Sequence, residues 1–161
     1  MMIKVGDKVP SVNFKKLTSD GLIDVLTDEY FKDRKVVLFS VPGAFTPTCS
    51  AQHLPGFIGN ADALKAKGIA AIACVSVNDA FVMQAWGESA SAGDAVEMLA
   101  DGNGEFARAT GLTLDGSGFG LGARSTRYSM LVDDGTISAL NVESNPGELD
   151  VSSAEHLLEQ L

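Results

Sequence analysis

The chain has 161 residues, a formal net charge of −9 and a hydrophobic share of 45%. This length fits one ordinary domain with its own core, and we expect a single domain over residues 1–161. The acidic balance disfavours nucleic-acid binding and attachment to an anionic membrane, because both depend on Lys and Arg. Two cysteines are too few for a disulfide scaffold, so we expect a reducing compartment.

An uncharged stretch at residues 36–61 is long enough to span a bilayer. Three prolines and three glycines interrupt it, so its backbone groups would lack partners in lipid. The first residues contain no apolar run typical of a signal sequence. We therefore expect a soluble, cytoplasmic protein that binds neither membranes nor nucleic acid.

Apolar runs and helical periodicities predict alternating strands and helices. In chain order these are a strand at 36–41, a helix at about 48–67, a strand at 68–77, a helix at 80–86, a strand at 96–100, a helix at 105–110, strands at 127–132 and 136–142, and a last helix entered at 152–155 and ending at 161. The first three form a βαβ unit with parallel strands. The Asp-Asp-Gly sequence at 133–135 predicts an antiparallel hairpin. The pattern therefore predicts an α/β fold with a mixed sheet between helices.

Cys49 lies where the first core strand gives way to the next helix, a usual place for an active site in an open α/β sheet. The thiolate is the reactive form of cysteine, and the backbone N–H groups at a helix start stabilise it. A helix terminus contributes only about 0.3 to 2 kcal/mol. A cation close to the sulfur is therefore expected, and the candidates are His53, Arg124 and Arg127.

Other interpretations of these side chains remain open at this point. His53 follows Cys49 by four residues, as a Cys-His hydrolase pair on one helix face would, although packing along the helix is favoured for His53. A metal site from Cys49, His53, Cys74 and His156 is disfavoured because no paired-ligand spacing occurs, so no metal is expected. Cys74 lies in an apolar strand, as is typical of a buried cysteine. Thr46 is either a turn hydroxyl or a group aimed at whatever approaches the sulfur.

The segment Val-Pro-Gly-Ala-Phe-Thr-Pro-Thr-Cys-Ser at 41–50 resembles the peroxidatic loop of peroxiredoxins. Its particular sequence resembles that of the peroxiredoxin 5 subfamily. Its pattern is Pro42-x-x-x-Thr46-x-x-Cys49. Further matching segments occur in order at 53–57, 76–83, 85–86 and 124–130. The resemblance covers residues from about 6 to 161 and implies a thioredoxin-like fold.

The resemblance also implies reduction of hydrogen peroxide and organic hydroperoxides without metal, haem, flavin or another cofactor. Cys49 would attack the peroxide and become a sulfenic acid, while Thr46 would orient the O–O bond. Arg127 would stabilise the thiolate and the leaving oxygen, with Arg124 as the fallback and a solvated loop arginine as the alternative for Arg124. Pro42 would shield the sulfur from water.

The resolving cysteine of some homologues is missing at 147–152. An external thiol or Cys74 would then resolve the sulfenic acid, and a Cys49–Cys74 disulfide would require local unfolding. We favour a one-Cys mechanism with glutathione, through glutaredoxin, as reductant. In the alternative, Cys74 resolves the sulfenic acid and thioredoxin reduces the resulting Cys49–Cys74 disulfide. Anionic glutathione would need a basic rim, for which Arg124, Arg127 and the segment at 32–35 are available.

The resemblance further implies a homodimer packed through loops around the active site. Plausible contacts, with core burial as the competing interpretation, are Phe45, Leu54, Pro55 and Phe57. Phe45 and Phe119 could also wall the pocket, but core packing is favoured for both. An alternative of another class is a redox-responsive binding or chaperone protein that is oxidised once at Cys49, which catalytic turnover would distinguish from an enzyme.

Overall fold

A mixed sheet of seven strands organises the fold, which the computed structural model describes for residues 2–161. In chain order the strands are β1 (Asn13–Thr18), β2 (Gly21–Leu26), β3 (Lys35–Ser40), β4 (Ala71–Ser76), β5 (Glu97–Ala100), β6 (Thr113–Asp115), β7 (Ala123–Ser125), β8 (Tyr128–Asp133) and β9 (Thr136–Val142). The large sheet has the spatial order β2-β1-β5-β4-β3-β8-β9, and β6 pairs with β7. The helices are α1 (Thr27–Tyr30), α2 (Leu54–Gly59), α3 (Ala61–Ala66), α4 (Ala80–Ser89), α5 (Glu105–Thr110) and α6 (Ala154–Glu159). A π-helical turn at Cys49–His53 precedes α2, and a 3-10 turn at Ser117–Phe119 follows β6.

The central strands β3 and β4 run parallel, because the chain crosses between them through the π-helical turn, α2 and α3. Phe39 of β3 pairs with Cys74 of β4. Strand β8 is antiparallel to both β3 and β9, and the latter pair forms the hairpin. The predicted βαβ unit, the hairpin and the mixed α/β sheet are therefore confirmed.

Three helix ends follow the local chemistry of the sequence. Asp79 caps α4 by accepting a hydrogen bond from the Val82 backbone N–H at 2.8 Å. Ser153 caps α6 in the same way through the His156 N–H at 3.1 Å. Gly111 ends α5 with a φ of 74°, which glycine adopts without steric cost.

The predicted helix at 48–67 is divided in the structure. Its first turn is π-helical, and Asn60, with φ of −103° and ψ of 8°, separates α2 from α3. Gly56 and Gly59 weaken the helix here, and the Asn60 side-chain amide donates to the Gly56 carbonyl at 2.8 Å in addition to the Asn60 backbone N–H at 3.1 Å. The sequence also gave no signal for the β1–β2 hairpin, whose Leu22 and Ile23 are exposed and break the expected alternation.

The sheet separates two apolar clusters, because alternate residues of a strand face opposite sides. Val37 and Phe39 of β3 face the cluster that contains Cys49 and Cys74, whereas Leu38 faces the other cluster. Within residues 2–161, no helix is both long and apolar enough to cross a membrane.

Candidate active site

Cys49 begins the π-helical turn that follows β3, and its side chain is completely buried. The loop before it is held at the end of β4. Asn78 accepts a hydrogen bond from the Ala44 backbone N–H at 3.0 Å, and Ser76 donates to the Val41 carbonyl at 3.1 Å. The sequence does not reveal this contact of Asn78 with the loop, because the contact depends on the parallel pairing of two strands.

Arg127 reaches the sulfur from the neighbouring strand. It immediately precedes β8, whose first residue, Tyr128, pairs with Ser40 at the end of β3. Its Nη2 donates to Cys49 Sγ at 3.0 Å, and its side chain is only 2% exposed. The antiparallel pairing of β3 and β8 therefore brings a cation to the thiol across 78 residues of sequence.

The other nitrogens of the Arg127 guanidinium are also fixed. Nε donates to the Pro146 carbonyl at 2.9 Å, and Nη1 lies 2.8 Å from His53 Nδ1. Because arginine only donates, His53 Nδ1 is the acceptor. The remaining ring nitrogen, Nε2, then carries the proton and donates to the Ser152 carbonyl at 3.0 Å.

His53 is neutral in this position. Its burial, and then the charge of Arg127, lower the pKa of His53 to about 3. His53, one of the three candidate cations, is therefore not the cation beside Cys49. The Cys-His hydrolase hypothesis fails as well, since the Nδ1 of His53 accepts from Arg127 and its Nε2 faces Ser152 rather than the sulfur.

The buried guanidinium has no carboxylate partner. Within residues 2–161, no Asp or Glu oxygen lies within 4.0 Å of the Arg127 side-chain nitrogens. A buried charge is costly unless an opposite charge or several hydrogen bonds compensate it. Among the hydrogen-bond partners of the guanidinium within residues 2–161, the Cys49 sulfur is the atom that can become an anion by losing a proton, so a cationic donor lies 3.0 Å from the reactive group.

Comparison with known proteins agrees with this geometry. The Redoxin family model matches residues 4–158. The chain is 54% identical to Peroxiredoxin-2E-2, chloroplastic, of Oryza sativa subsp. japonica, over 99% of this chain and 72% of the relative. The structure is similar to reduced Prx3 of Vibrio vulnificus in complex with H2O2, with a TM-score of 0.94, 52% identity and 99% of each chain covered. It is also similar to peroxiredoxin 5 of Alvinella pompejana, with a TM-score of 0.84, 38% identity and coverage of 98% and 96%.

The chain is a peroxiredoxin of the Redoxin family. The resemblance found in the sequence and the thioredoxin-like fold are thus confirmed, and so is the assignment to the thiol peroxidases, a class of oxidoreductases.

Thr46 and Pro42 of this peroxiredoxin lie in the loop that covers Cys49. The Thr46 hydroxyl donates to the Gly43 carbonyl at 2.7 Å, so the lone pairs of its oxygen can accept a hydrogen bond from another molecule. Pro42 is buried. Phe45 holds a φ of 63°, a left-handed conformation that is unusual for a bulky residue and that the sequence did not indicate.

Arg124 does not hydrogen-bond the sulfur. Its Nε donates to the Leu121 carbonyl at 2.8 Å, and its Nη1 lies 3.4 Å from the Pro42 carbonyl. Arg124, the fallback for the cation, therefore binds backbone carbonyls, one of them in the active-site loop. It is not the freely solvated loop arginine of the alternative interpretation. The choice between Arg127 and Arg124 depended on the pairing of β8 with β3, which sequence spacing does not reveal.

Cys74 is buried in the middle of the sheet and belongs to the same apolar cluster as Cys49. Burial raises the pKa of Cys74 well above its ordinary value, and the nearby Cys49 raises it further. The expected burial of Cys74 is thus confirmed. In the part of the chain that the structure describes, no three potential metal ligands cluster together.

Several apolar side chains lie elsewhere than expected. Phe45 is 54% exposed and Phe119 is 88% exposed, so the core positions favoured for both are wrong. Leu54 and Phe57 are fully buried and do not offer a contact surface, whereas Pro55 is exposed.

Proposed function

We propose that Cys49 is the peroxidatic cysteine, which reduces hydrogen peroxide and organic hydroperoxides. The observation that carries the proposal is the 3.0 Å hydrogen bond from Arg127 Nη2 to Cys49 Sγ in a buried site without a competing carboxylate. The similar structure of reduced Prx3 from Vibrio vulnificus is a complex with H2O2, and this supports the choice of substrate.

In the proposed reaction the Cys49 thiolate attacks the distal oxygen of the hydroperoxide. An S–O bond forms as the O–O bond breaks, so the sulfur loses two electrons and the peroxide gains them. The hydroxyl group passes to sulfur to give a sulfenic acid. The leaving oxygen departs as hydroxide or alkoxide, takes a proton from water, and is stabilised by the Arg127 guanidinium as its charge develops.

Thr46, Pro42, Cys49 and Arg127 would bind the substrate together. The hydroxyl hydrogen of Thr46 is engaged by Gly43, which leaves the Thr46 oxygen to accept a hydrogen bond from the hydroperoxide O–H. An acceptor on one side and a guanidinium donor on the other would orient the O–O bond toward the sulfur.

Rapid mixing of the reduced protein with hydrogen peroxide tests this proposal. Trp86, the single tryptophan, donates from Nε1 to the hydroxyl of Ser50, the residue after Cys49, at 3.0 Å, so its fluorescence should report the reaction. We expect oxidation far faster than that of a free thiol and its loss in Cys49→Ser. A rate no greater than that of a free thiol would refute the proposal.

We further propose a one-Cys cycle in which glutathione resolves the sulfenic acid. The glutathione thiol would displace water to form a mixed disulfide with Cys49. A glutaredoxin thiolate would then attack the glutathione sulfur and release the Cys49 thiol, and a second glutathione would regenerate the glutaredoxin thiol with formation of glutathione disulfide. The support is that residues 147–152 contain no cysteine and that the raised pKa of Cys74 makes it a poor nucleophile.

The mass of the oxidised protein tests the resolution step. After one equivalent of peroxide and then glutathione, we expect one glutathione adduct on Cys49 and turnover of peroxide with glutathione, glutaredoxin and NADPH-coupled recycling. A Cys49–Cys74 disulfide reduced by thioredoxin would overturn the one-Cys cycle but keep the peroxidase. Oxidation without turnover by either reductant would favour the redox-responsive binding protein.

A homodimer is also proposed, supported by the exposed Phe45 and Phe119 rings. Exposed aromatic side chains near a functional loop are typical of protein contacts. Sedimentation should show a dimer that Phe119→Asp weakens, and a monomer in the unaltered protein at all concentrations would contradict it.

Finally, we propose that the protein works in the cytoplasm, because both cysteines are free and the proposed reductants are thiols. Fractionation of the source cells would test this location.

A further inference from the structure

The segment at residues 143–153 links β9 to α6 and contacts the active site through three backbone carbonyls. Pro146 accepts from Arg127 Nε at 2.9 Å, and Ser152 accepts from His53 Nε2 at 3.0 Å. Gly147 accepts from the Thr48 hydroxyl at 2.8 Å. The backbone path of this segment therefore determines the positions of the carbonyls that accept hydrogen bonds from Arg127, His53 and Thr48.

Glu143 holds the segment in that path. Glu143 is 6% exposed as a residue, and one of its carboxylate oxygens, Oε2, accepts from the Asp150 N–H at 2.9 Å, the Ser152 N–H at 2.8 Å and the Ser152 hydroxyl at 2.6 Å. Although burial raises the pKa of Glu143, the hydrogen bonds from Ser152 and Asp150 outweigh it and leave the pKa below its usual value. The carboxylate is therefore ionised at neutral pH.

These contacts form a continuous chain to the sulfur. Glu143 fixes Ser152, and the Ser152 carbonyl keeps the proton of His53 on Nε2. His53 Nδ1 is then available only as an acceptor for Arg127 Nη1, which orients Nη2 toward Cys49. The Glu143 N–H also donates to the Arg127 carbonyl at 3.0 Å, so the two residues are tied through the backbone as well.

The indirect arrangement has a chemical advantage. A carboxylate in direct contact with the guanidinium would compete with the thiolate for the positive charge of Arg127. The Glu143 carboxylate instead accepts hydrogen bonds from backbone N–H groups and a hydroxyl, so it can position Arg127 without forming an ion pair with it.

We propose that Glu143 is a positioning residue of the peroxidatic site, which sets the geometry of Arg127 through Ser152 and His53. This inference rests on the proposed function of Cys49. It assigns the geometry of the site to a residue that touches neither the substrate nor the sulfur.

The test compares Glu143→Ala, Glu143→Gln and the unaltered protein by rapid mixing with hydrogen peroxide. Glu143→Ala should slow oxidation of Cys49 at least about tenfold, because a charged acceptor of three hydrogen bonds is lost. Glu143→Gln keeps an acceptor oxygen and should restore the rate to within about threefold of the unaltered protein. Glu148→Ala removes an exposed carboxylate from the same segment and should have no effect.

A stability control separates positioning from general loosening. Ile137→Val removes a buried methylene in β9, within the cluster on the other side of the sheet, and lowers stability without touching the chain to Cys49. A rate loss in Ile137→Val equal to that in Glu143→Ala would overturn the inference. So would a folded Glu143→Ala that reacts within twofold of the unaltered protein.

If Glu143→Ala does not fold, Ser152→Ala decides the question. It removes one of the three donors to Glu143 and keeps the carbonyl that binds His53, so we expect a twofold to fivefold slower reaction. An unchanged rate would overturn the inference. Failure of the proposed function has a different signature, because the unaltered protein itself would then react no faster than a free thiol.

Discussion

Replacement of Arg127 tests the centre of the proposed mechanism. Arg127→Gln removes the positive charge beside Cys49 and the donor that lies 3.0 Å from its sulfur. A hydrogen bond to a charged group contributes about 1.5 to 3 kcal/mol. At about 1.4 kcal/mol per tenfold change, the loss at the sulfur alone corresponds to roughly 10-fold to 150-fold in rate.

The leaving oxygen adds a second contribution. Removal of one donor that stabilises a developing oxyanion costs about 10²-fold to 10³-fold in rate. If Arg127 serves both the thiolate and the leaving oxygen, Arg127→Gln should slow the reaction by more than about 100-fold. The oxidation rate of Arg127→Lys should lie between those of the unaltered protein and Arg127→Gln. An ammonium group keeps the positive charge, but it cannot bind Pro146, His53 and Cys49 at once as the planar guanidinium does.

The assay is the rate of oxidation of Cys49 by hydrogen peroxide under pseudo-first-order conditions, followed by tryptophan fluorescence. Circular dichroism and urea unfolding check that the variants are folded, because the side chain of Arg127 is buried. Arg124→Gln is the matched comparison and should slow oxidation much less, since Arg124 binds the carbonyls of Leu121 and Pro42. A folded Arg127→Gln that reacts within threefold of the unaltered protein would refute the assignment.

Three further predictions concern residues around Cys49. Cys74→Ala should keep the rate of Cys49 oxidation within about twofold, because Cys74 takes no part in the attack on peroxide, and a larger loss of rate in the folded variant would contradict this. The pKa of His53 is about 3 when folded, against an ordinary 6.5, so the unfolded chain binds more protons between these values. Stability should therefore fall by about 2 kcal/mol from this group between pH 7 and pH 5. In urea unfolding, the free energy of unfolding of His53→Gln should lack this loss between pH 7 and pH 5. A variant whose stability depends on pH as steeply as that of the unaltered protein would disprove the prediction. Trp86→Phe loses the donor to Ser50 and should lower stability by about 1 kcal/mol while abolishing the fluorescence signal.

Local patterns in the sequence were sufficient for the central elements. The β-branched run before Pro42 has few alternatives to a buried strand, and Asp134 and Gly135, with φ of 48° and 78°, suit only a tight turn. The position of Cys49 after β3 also followed from the sequence, because the end of a strand and the start of a helix are marked by nearby residues. The resemblance to peroxiredoxins came from the same stretch of chain.

Only the tertiary structure selected the partners of Cys49. Arg127 and Arg124 are three residues apart and chemically alike, but the pairing of β8 with β3 delivers Arg127 to the sulfur and leaves Arg124 on the loop. The sequence left His53 open as a helix-packing residue, a cation or a base, and its burial and its contact with Arg127 make it a neutral acceptor. Glu143 gave no sequence signal at all, because a carboxylate that binds backbone N–H groups is recognisable only once the chain has folded around it. The sequence determines which groups are present near each turn, and long-range strand pairing and burial determine their charge, orientation and partners.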